Sequence, residues 1–451
     1  MTDLAQSLAD HAAAYPAEDV DAAVSSHIGL DLADTLAAAI GGSRSAGVRE
    51  TLEVLAEDAP SGHSQVFGDP RRLPAAAAAQ ANATAAHALD YDNTLDEGGG
   101  MHAGAAVHSA ALALADQLGG VSGRAYVSAV AVGLDVAVRL ALAPTQDFGW
   151  HRTSAFGVFG VTVAAGRLLG LTREQFANAI GIAAAQASGN RQCIPDGALT
   201  KRLQSGFSAR DGIAAARLAK AGLTGPANAL EGRDGFFNLY QRGAYRREVV
   251  LDGLGETLLG MRISLKPYPC GRNLHGFLDA ALQARAEGGE EEPVEIRVGV
   301  EPGAAERLSR AYPNHVVEAQ FSLPFAVALA VATGGAALAA FDRPGKADAP
   351  VRRLFDRVNL APAEPGAPAT VELIYTKGRR ASARVAVPRG HPSKPLDAAA
   401  ILAKFEDCNA FAGEVLPPGR IAQLVATAID VAALGSTRSL TDLLAPAGGR
   451  P

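Results

Sequence analysis

Apolar positions over the first 260 residues recur at three- and four-residue steps. In "DVDAAVSSHIGLDLADTLAAAIGG", Val24, Ile28, Leu32 and Leu36 stand four apart and the segment ends on Gly41-Gly42. One apolar face closed by glycine predicts a helix. The same pattern runs through "RLPAAAAAQANATAAHALDYD", entered after Pro74, "HAGAAVHSAALALADQLGG", "SGRAYVSAVAVGLDVAVRLALAP", stopped by Pro144, and "SARDGIAAARLAKAGLTGP". "LTREQFANAIGIAAAQASG" opens with Thr172 and Gln175 at capping-box spacing. Alanine, the best helix former, dominates these segments, and its small side chain lets helices approach closely.

The period changes near residue 264. In "PVEIRVGVEP", Val294, Ile296, Val298 and Val300 alternate with Glu295, Arg297 and Gly299, which predicts a strand. "TVELIYTKGRRASARVAVPRG" reads as two strands around a Lys377-Gly378 turn, with "EAQFSLPFAVALAVATGGAAL" as a buried helix before them and "APAEPGAPA" as a surface loop. "DAAAILAKFEDC" and "PPGRIAQLVATAID" return to helix. The expected fold is mainly α with an inserted α+β domain: a large all-helical domain (1–263), a smaller α+β lid domain (264–394), and C-terminal helices (395–451) returning to the first. A cleft between the two domains would suit a small molecule.

Composition narrows the function. A net charge of −6 argues against a general nucleic-acid or anionic-membrane binder. Cys193, Cys270 and Cys408 are scattered with no CxxC pair, so neither a disulfide framework nor a zinc ribbon is indicated, and an iron–sulfur cluster would require all three thiolates. The first residues, "MTDLAQSLADHAAAYPAEDVDAAV", lack the basic flank and apolar core of a signal peptide, and no membrane span is read. A reducing, cytoplasmic setting is the expectation.

Four stretches carry chemistry. "HALDYDNTLDEGGGMHAG" has carboxylates spaced like a calcium loop, but counting from Asp90 puts Leu95 where glycine is needed and Met101 where a bidentate glutamate is needed. His102 and His108 are six apart, off the helical metal-pair spacing. A calcium site is therefore not expected, a His/Asp transition-metal site stays open on spacing alone, and the overall expectation is no metal and no cofactor. "GWHRTSAFGVFG" places His151 at the mouth of an apolar helix. In "PDGALTKRLQSGFSARDG", Lys201 and Arg202 precede a helix, where a carboxylate could be captured. "SLKPYPCGRNLHGFLDAAL" crowds Lys266, Arg272 and His275 into a Pro-rich turn. Taken one at a time, a helix-capping histidine or a solvated basic pair explains each stretch as well as a site does.

Read in order, "HALDYDNT…HAGAAV", "HRTSAFGVFGVTVAAGRLLGL", "TKRLQSGFSARDGIAAARLA", "LKPYPCGRNLHGFLDA" and "EAQFSLPFAVALA" resemble the MmgE/PrpD family, across about residues 30 to 440. That family includes 2-methylcitrate dehydratase, cis-aconitate decarboxylase and iminodisuccinate epimerase. The resemblance implies a helical domain with an α+β lid, a homodimer, and a cofactor-independent active site for a small polycarboxylate. It carries catalytic roles to Asp90, Thr94, His102, His151, Lys201 and His275, with Lys201, Lys266 and Arg272 as cations for substrate carboxylates. His102 and His151 would share acid/base work, and Asp90 would orient His102. Dehydration of a 2-methylcitrate-like hydroxy acid is the first expectation; decarboxylation, epimerisation, or silent polycarboxylate binding are the alternatives. Three departures stand out. "DEGGG" lengthens the Thr94–His102 segment by about two residues, and Asp96, Glu97 and Gly98 to Gly100 are expected to be flexible. Ala103 replaces a common proline, and Phe325 stands where some members have a tyrosine.

Overall fold

In the computed structural model the described residues are 2–98, 100–289, 291–308, 311–346 and 349–446. The chain divides into two units, Met1–Leu265 with Asp397–Pro451, and Lys266–Leu396.

The first unit is helical. Its helices up to residue 220 are Leu4–Ala14 (α1), Ala22–Gly42 (α2), Val48–Asp58 (α3), Ala75–Ala86 (α4), Ala103–Gln117 (α5), Gly123–Leu142 (α6), Arg152–Leu168 (α7), Arg173–Gln186 (α8) and Thr200–Lys220 (α9). The stripe Ile28, Leu32 and Leu36 is fully buried in α2. Side-chain caps start the helices where the sequence offers them. Asp21 accepts from Ala23 N at 2.6 Å, and Ser122 accepts from Ala125 N at 3.1 Å. Thr172 and Gln175 form the reciprocal box at the start of α8, through bonds of 3.0 and 3.3 Å. Each such cap satisfies an orphan N–H and contributes about 1 kcal/mol.

Close helix contact depends on glycine at one crossing. A Cβ on Gly133 of α6 would fall 2.7 Å from the Gly160 carbonyl of α7, and one on Gly160 would meet the Gly133 carbonyl at the same distance. Helix α6 is long and apolar enough to cross a membrane, yet 89% of its apolar window is buried inside the protein. The short strands Ser64–Gln65 (β1) and Arg72–Leu73 (β2) pair antiparallel, as do Thr94–Leu95 (β3) and Ile263–Ser264 (β4). The C-terminal helices Ala398–Phe411 and Pro418–Ile429 pack against α2.

The second unit contains a four-stranded sheet of Glu295–Val300 (β5), Val358–Pro362 (β6), Ala369–Ile374 (β7) and Arg380–Val385 (β8), in the order β6-β5-β7-β8. β5 and β6 run parallel; the other pairs are antiparallel. Ile296, Val298 and Val300 are buried, whereas Val294 lies before the strand and is 48% exposed. The β7–β8 hairpin turns through residues 375–379, with Lys377 and Gly378 both at positive φ (62° and 77°). The segment expected as one buried helix is two, Val316–Gln320 and Leu323–Thr333. Ser322 caps the second by accepting from Phe325 N, and Pro324 lacks the N–H that would continue the first. Helix His275–Gly288 packs on β7 and β8.

Candidate active site

The segment after α4 folds as a hydrogen-bonded loop. His87 is the α4 C-cap, and three residues later Asp90 takes a left-handed conformation (φ 53°). Few side chains tolerate that region, and aspartate is among them. The chain then pairs β3 with β4, and Leu95 N donates to the Met101 carbonyl at 2.8 Å, returning the backbone to α5. Gly104 is required there, because a Cβ would sit 1.9 Å from Asn93 Nδ2. Asn93 accepts from Gly104 N at 3.2 Å and donates to Asp31, which also meets His108 Nε2 at 3.0 Å; His108 Nδ1 lies 2.7 Å from the Tyr126 hydroxyl. Burial alone would raise the Asp31 carboxyl, but the bonds from His108 and Asn93 outweigh it and hold it below the usual range. From the other side Lys404, on the C-terminal helix Ala398–Phe411, donates to the Tyr91 carbonyl at 2.6 Å and to Asp34 at 2.5 Å. Its ammonium also lies over the Tyr91 ring.

Three helix N-termini meet beside this loop. His102 caps α5, His151 caps α7, and Lys201 is in the first turn of α9. Thr153 accepts from His102 N at 3.1 Å, tying the α5 and α7 ends together. Lys201 Nζ donates to Asp90 Oδ1 at 2.9 Å, and His102 Nε2 lies 3.9 Å from the same oxygen. Behind them Asp92 Oδ2 is 2.8 Å from His87 Nδ1, and Asp92 Oδ1 is 3.4 Å from His102 Nδ1. The His87 ring lies 4.8 Å from that of His102 and 5.6 Å from that of His151.

Burial sets the protonation states. It pushes His87 down to about 4, overcoming the neighbouring Asp92, and holds His151 well below its usual value, with His87 and Lys201 adding to the shift. Asp92 would be raised by burial, but His87 and His102 outweigh that and keep it well below the usual carboxylate range. At neutral pH the group therefore contains two neutral histidines, His87 and His151, and a buried carboxylate. His87, Asp92 and His102 also bring ligand-type atoms within 4.8 Å of one another, a set able to hold a cation. The 2.8 Å contact between His87 and Asp92 is already a normal hydrogen bond. On the other side of the group the α5, α7 and α9 N-termini come together around the Lys201–Asp90 ion pair.

Asp90, His102 and Lys201, singled out from sequence, thus stand together, and His151 joins them across the His87 ring. Thr94 is buried in β3, its hydroxyl 3.5 Å from the Leu95 carbonyl. Lys266, Arg272 and His275 belong to the second unit. There Arg272 donates to the Arg389 carbonyl at 2.8 Å and lies 3.3 Å from His275 Nδ1, while His275 Nε2 faces the Cys270 carbonyl at 3.2 Å. That network assigns the His275 proton to Nε2. Lys266 is buried as well.

Three features differ from the sequence reading. His87 looked like an ordinary helix residue and Asp92 like part of a failed calcium loop, yet both stand in the group; the one available signal was a histidine at a helix end five residues before an acid. Asp92 approaches His102 more closely than Asp90 does. Asp96 and Glu97 are also tied down. Asp96 accepts from the Ser264 hydroxyl at 2.8 Å, and Glu97 pairs with Arg262. Gly98 and Gly100 have positive φ, and Gly99 lies outside the described residues. Phe325 is wholly buried in the second unit's core, 5.7 Å from Tyr312 and 5.8 Å from Phe341.

Comparison with known proteins assigns the class. The chain matches the MmgE/PrpD N-terminal domain over residues 6–248 and the MmgE/PrpD C-terminal domain over residues 268–427, and it belongs to the MmgE/PrpD family. It is similar to a cis-aconitate decarboxylase of Aspergillus terreus, 31% identical over 268 residues, 56% of this chain and 54% of that protein. It is 28% identical to human cis-aconitate decarboxylase over 310 residues (66% and 64%) and 27% identical to the mouse protein over 364 (76% and 73%). The match to the Aspergillus protein thus spans about half of its length.

Proposed function

We propose that the protein is a lyase for a small di- or tricarboxylic acid, working by histidine acid/base chemistry without a resident cofactor. The observation that carries this reading is the meeting of the α5, α7 and α9 N-termini around His102, His151 and Lys201. Each helix end contributes roughly half a positive charge, and the Lys201 ammonium adds a full one. A substrate carboxylate would be held there by charge-assisted hydrogen bonds, and the same charges would stabilise the enolate-like anion formed beside it.

His151 is neutral and buried, which suits a proton acceptor. His102 Nε2, beside Asp90 and Lys201, suits exchange of a proton with the leaving or receiving atom. For dehydration, one histidine removes the proton next to a carboxylate, the C–O bond breaks, and the other, charged beforehand by a proton from solvent, protonates the departing hydroxyl to release water. For decarboxylation, the C–C bond to a carboxylate breaks, carbon dioxide leaves, and a histidine that has taken a proton from solvent delivers it to the carbon left behind. Dehydration of a 2-methylcitrate-like acid is the first reading. The likeness to cis-aconitate decarboxylases favours the second.

A substrate panel separates them. The purified chain is incubated with 2-methylcitrate, citrate, cis-aconitate and iminodisuccinate, and absorbance of the unsaturated acid, released carbon dioxide and optical rotation are followed. Turnover of a hydroxy acid to an unsaturated acid supports dehydration, and carbon dioxide from cis-aconitate supports decarboxylation. Thermal stabilisation by one acid with no turnover of any would replace both with a binding role.

A further inference from the structure

We infer that Asp92, backed by His87, is a positioning residue that fixes His102 with its ring proton on Nδ1 and its basic Nε2 turned toward the Asp90–Lys201 pair. The inference deepens the proposed function and rests on it for the catalytic part of His102. It follows from how the two oxygens of Asp92 are used. Oδ2 lies 2.8 Å from His87 Nδ1, and Oδ1 lies 3.4 Å from His102 Nδ1. Asp92 is fully buried, and neither its Oδ1 nor His102 Nδ1 has a hydrogen-bond partner within normal geometry among the described residues.

If His102 carried its proton on Nε2, a bare ring nitrogen would face a carboxylate oxygen in a site with little water. Two acceptors would then confront each other, both unsatisfied, which buried polar groups avoid. A proton on Nδ1 satisfies both atoms at once. The 3.4 Å separation is long for such a bond, but catalytic hydrogen bonds are often long before substrate closes the site. The same reasoning applies behind Asp92. Asp92 Oδ2 can accept from His87 Nδ1, 2.8 Å away, only if that nitrogen carries a proton.

Asp92 is held in place by the end of α4, through His87, and by Asn93, which is locked to Asp31 and Gly104. The ring of His102 lies against that of His87, and its main chain is fixed by the bond from the backbone N–H to the Thr153 hydroxyl. Whenever Nε2 takes a proton from substrate, the new imidazolium faces the Asp92 anion. A carboxylate behind a histidine serves acid/base catalysis in this way without itself reacting.

The tautomer can be read without any substrate. The full chain is prepared with ring-15N histidine, and the His102 signals are identified by their loss in His102→Gln. The expected spectrum of the uncharged ring shows a protonated Nδ1 and a bare Nε2. In Asp92→Asn the amide can donate to Nδ1, so the proton moves to Nε2, and kcat falls roughly a hundred- to ten-thousand-fold with little change in KM. His87→Gln, which keeps a donor toward Asp92, retains much more activity than His87→Leu. A wild-type His102 protonated on Nε2 overturns the inference, as does an Asp92→Asn protein with tautomer and kcat unchanged. Absence of turnover on every polycarboxylate, with the Nδ1-protonated spectrum present, retires the proposed reaction and leaves the positioning standing.

Discussion

Lys201 Nζ lies 2.9 Å from Asp90 Oδ1 across 111 residues of sequence, and Asp90 reaches it from a left-handed backbone. Strain of that kind costs on the order of 1 kcal/mol or more and persists where surrounding structure enforces it. Lys201→Met removes the full positive charge from the meeting point of three helices. kcat/KM is expected to fall roughly a hundred- to a thousand-fold, as when one donor to a developing oxyanion is lost. Steady-state kinetics check this, with circular dichroism confirming the fold.

The two histidines at helix N-caps should be separately necessary. His102→Gln and His151→Gln are each expected to lower kcat by roughly two to four orders of magnitude, the range for losing a general acid or base. The double variant should fall little further than the worse single one, because groups that act as a unit are not additive. Near-normal turnover in either variant would remove that residue from the chemistry.

Stability should depend on pH through His87 and His151. The unfolded chain takes up a proton on each as pH falls through about 6.5, while folded His87 resists until about 4. The unfolded state therefore binds more protons between those values. Stability is full above pH 6.5 and declines toward pH 4, by up to about 1.4 kcal/mol per pH unit for each proton. Urea midpoints measured from pH 7.5 to 4.5 should show this slope, and His87→Gln should flatten it.

The loop that carries the site also depends on a buried ion pair. Lys404 and Asp34 are both nearly inaccessible, and Lys404 also holds the Tyr91 carbonyl. Burial already raises the Asp34 carboxyl to about 7 against the pull of Lys404, so in Lys404→Met it takes up a proton, and the loss is expected to fall below the ~3–5 kcal/mol of a stranded charge. Lys404→Met with Asp34→Asn should recover part of the loss. Denaturant unfolding of the single and double variants measures both.

Much of this was legible in the sequence because it is periodic or local. The four-residue stripe of α2, the Thr172–Gln175 box and the alternation in β5 each state their own secondary structure. The break at Ser322-Pro324 is written in the sequence as a serine cap followed by proline, but a reading by apolar period alone ran across it. Val294 extended the alternation one step beyond the strand, since period alone does not mark an end. Among site residues, those at helix starts were visible because polar side chains there stand out against apolar surroundings. His87 and Asp92 were not, because their importance comes from facing His102 across a turn. The expectation of a loose "DEGGG" overlooked Ser264 and Arg262, which lie about 165 residues away in sequence and hold Asp96 and Glu97.

A chelator tests whether His87, Asp92 and His102 work as hydrogen-bonding groups or as cation ligands. Turnover is expected to be unchanged after prolonged treatment with EDTA and removal of the chelator. Loss of activity that returns with a divalent metal would assign the group to metal binding instead.

The most direct measurement is hydrogen exchange at carbon. With the acid that the chain turns over, the reaction is run in deuterium oxide and followed by NMR. Wild-type protein should place solvent deuterium on the carbon next to a carboxylate, in the hydroxy acid formed when a dehydration is run in reverse or in the product of decarboxylation. His102→Gln and His151→Gln together should abolish it. Conversion without deuterium at that carbon, or equal incorporation by the double variant, would contradict proton transfer by these histidines.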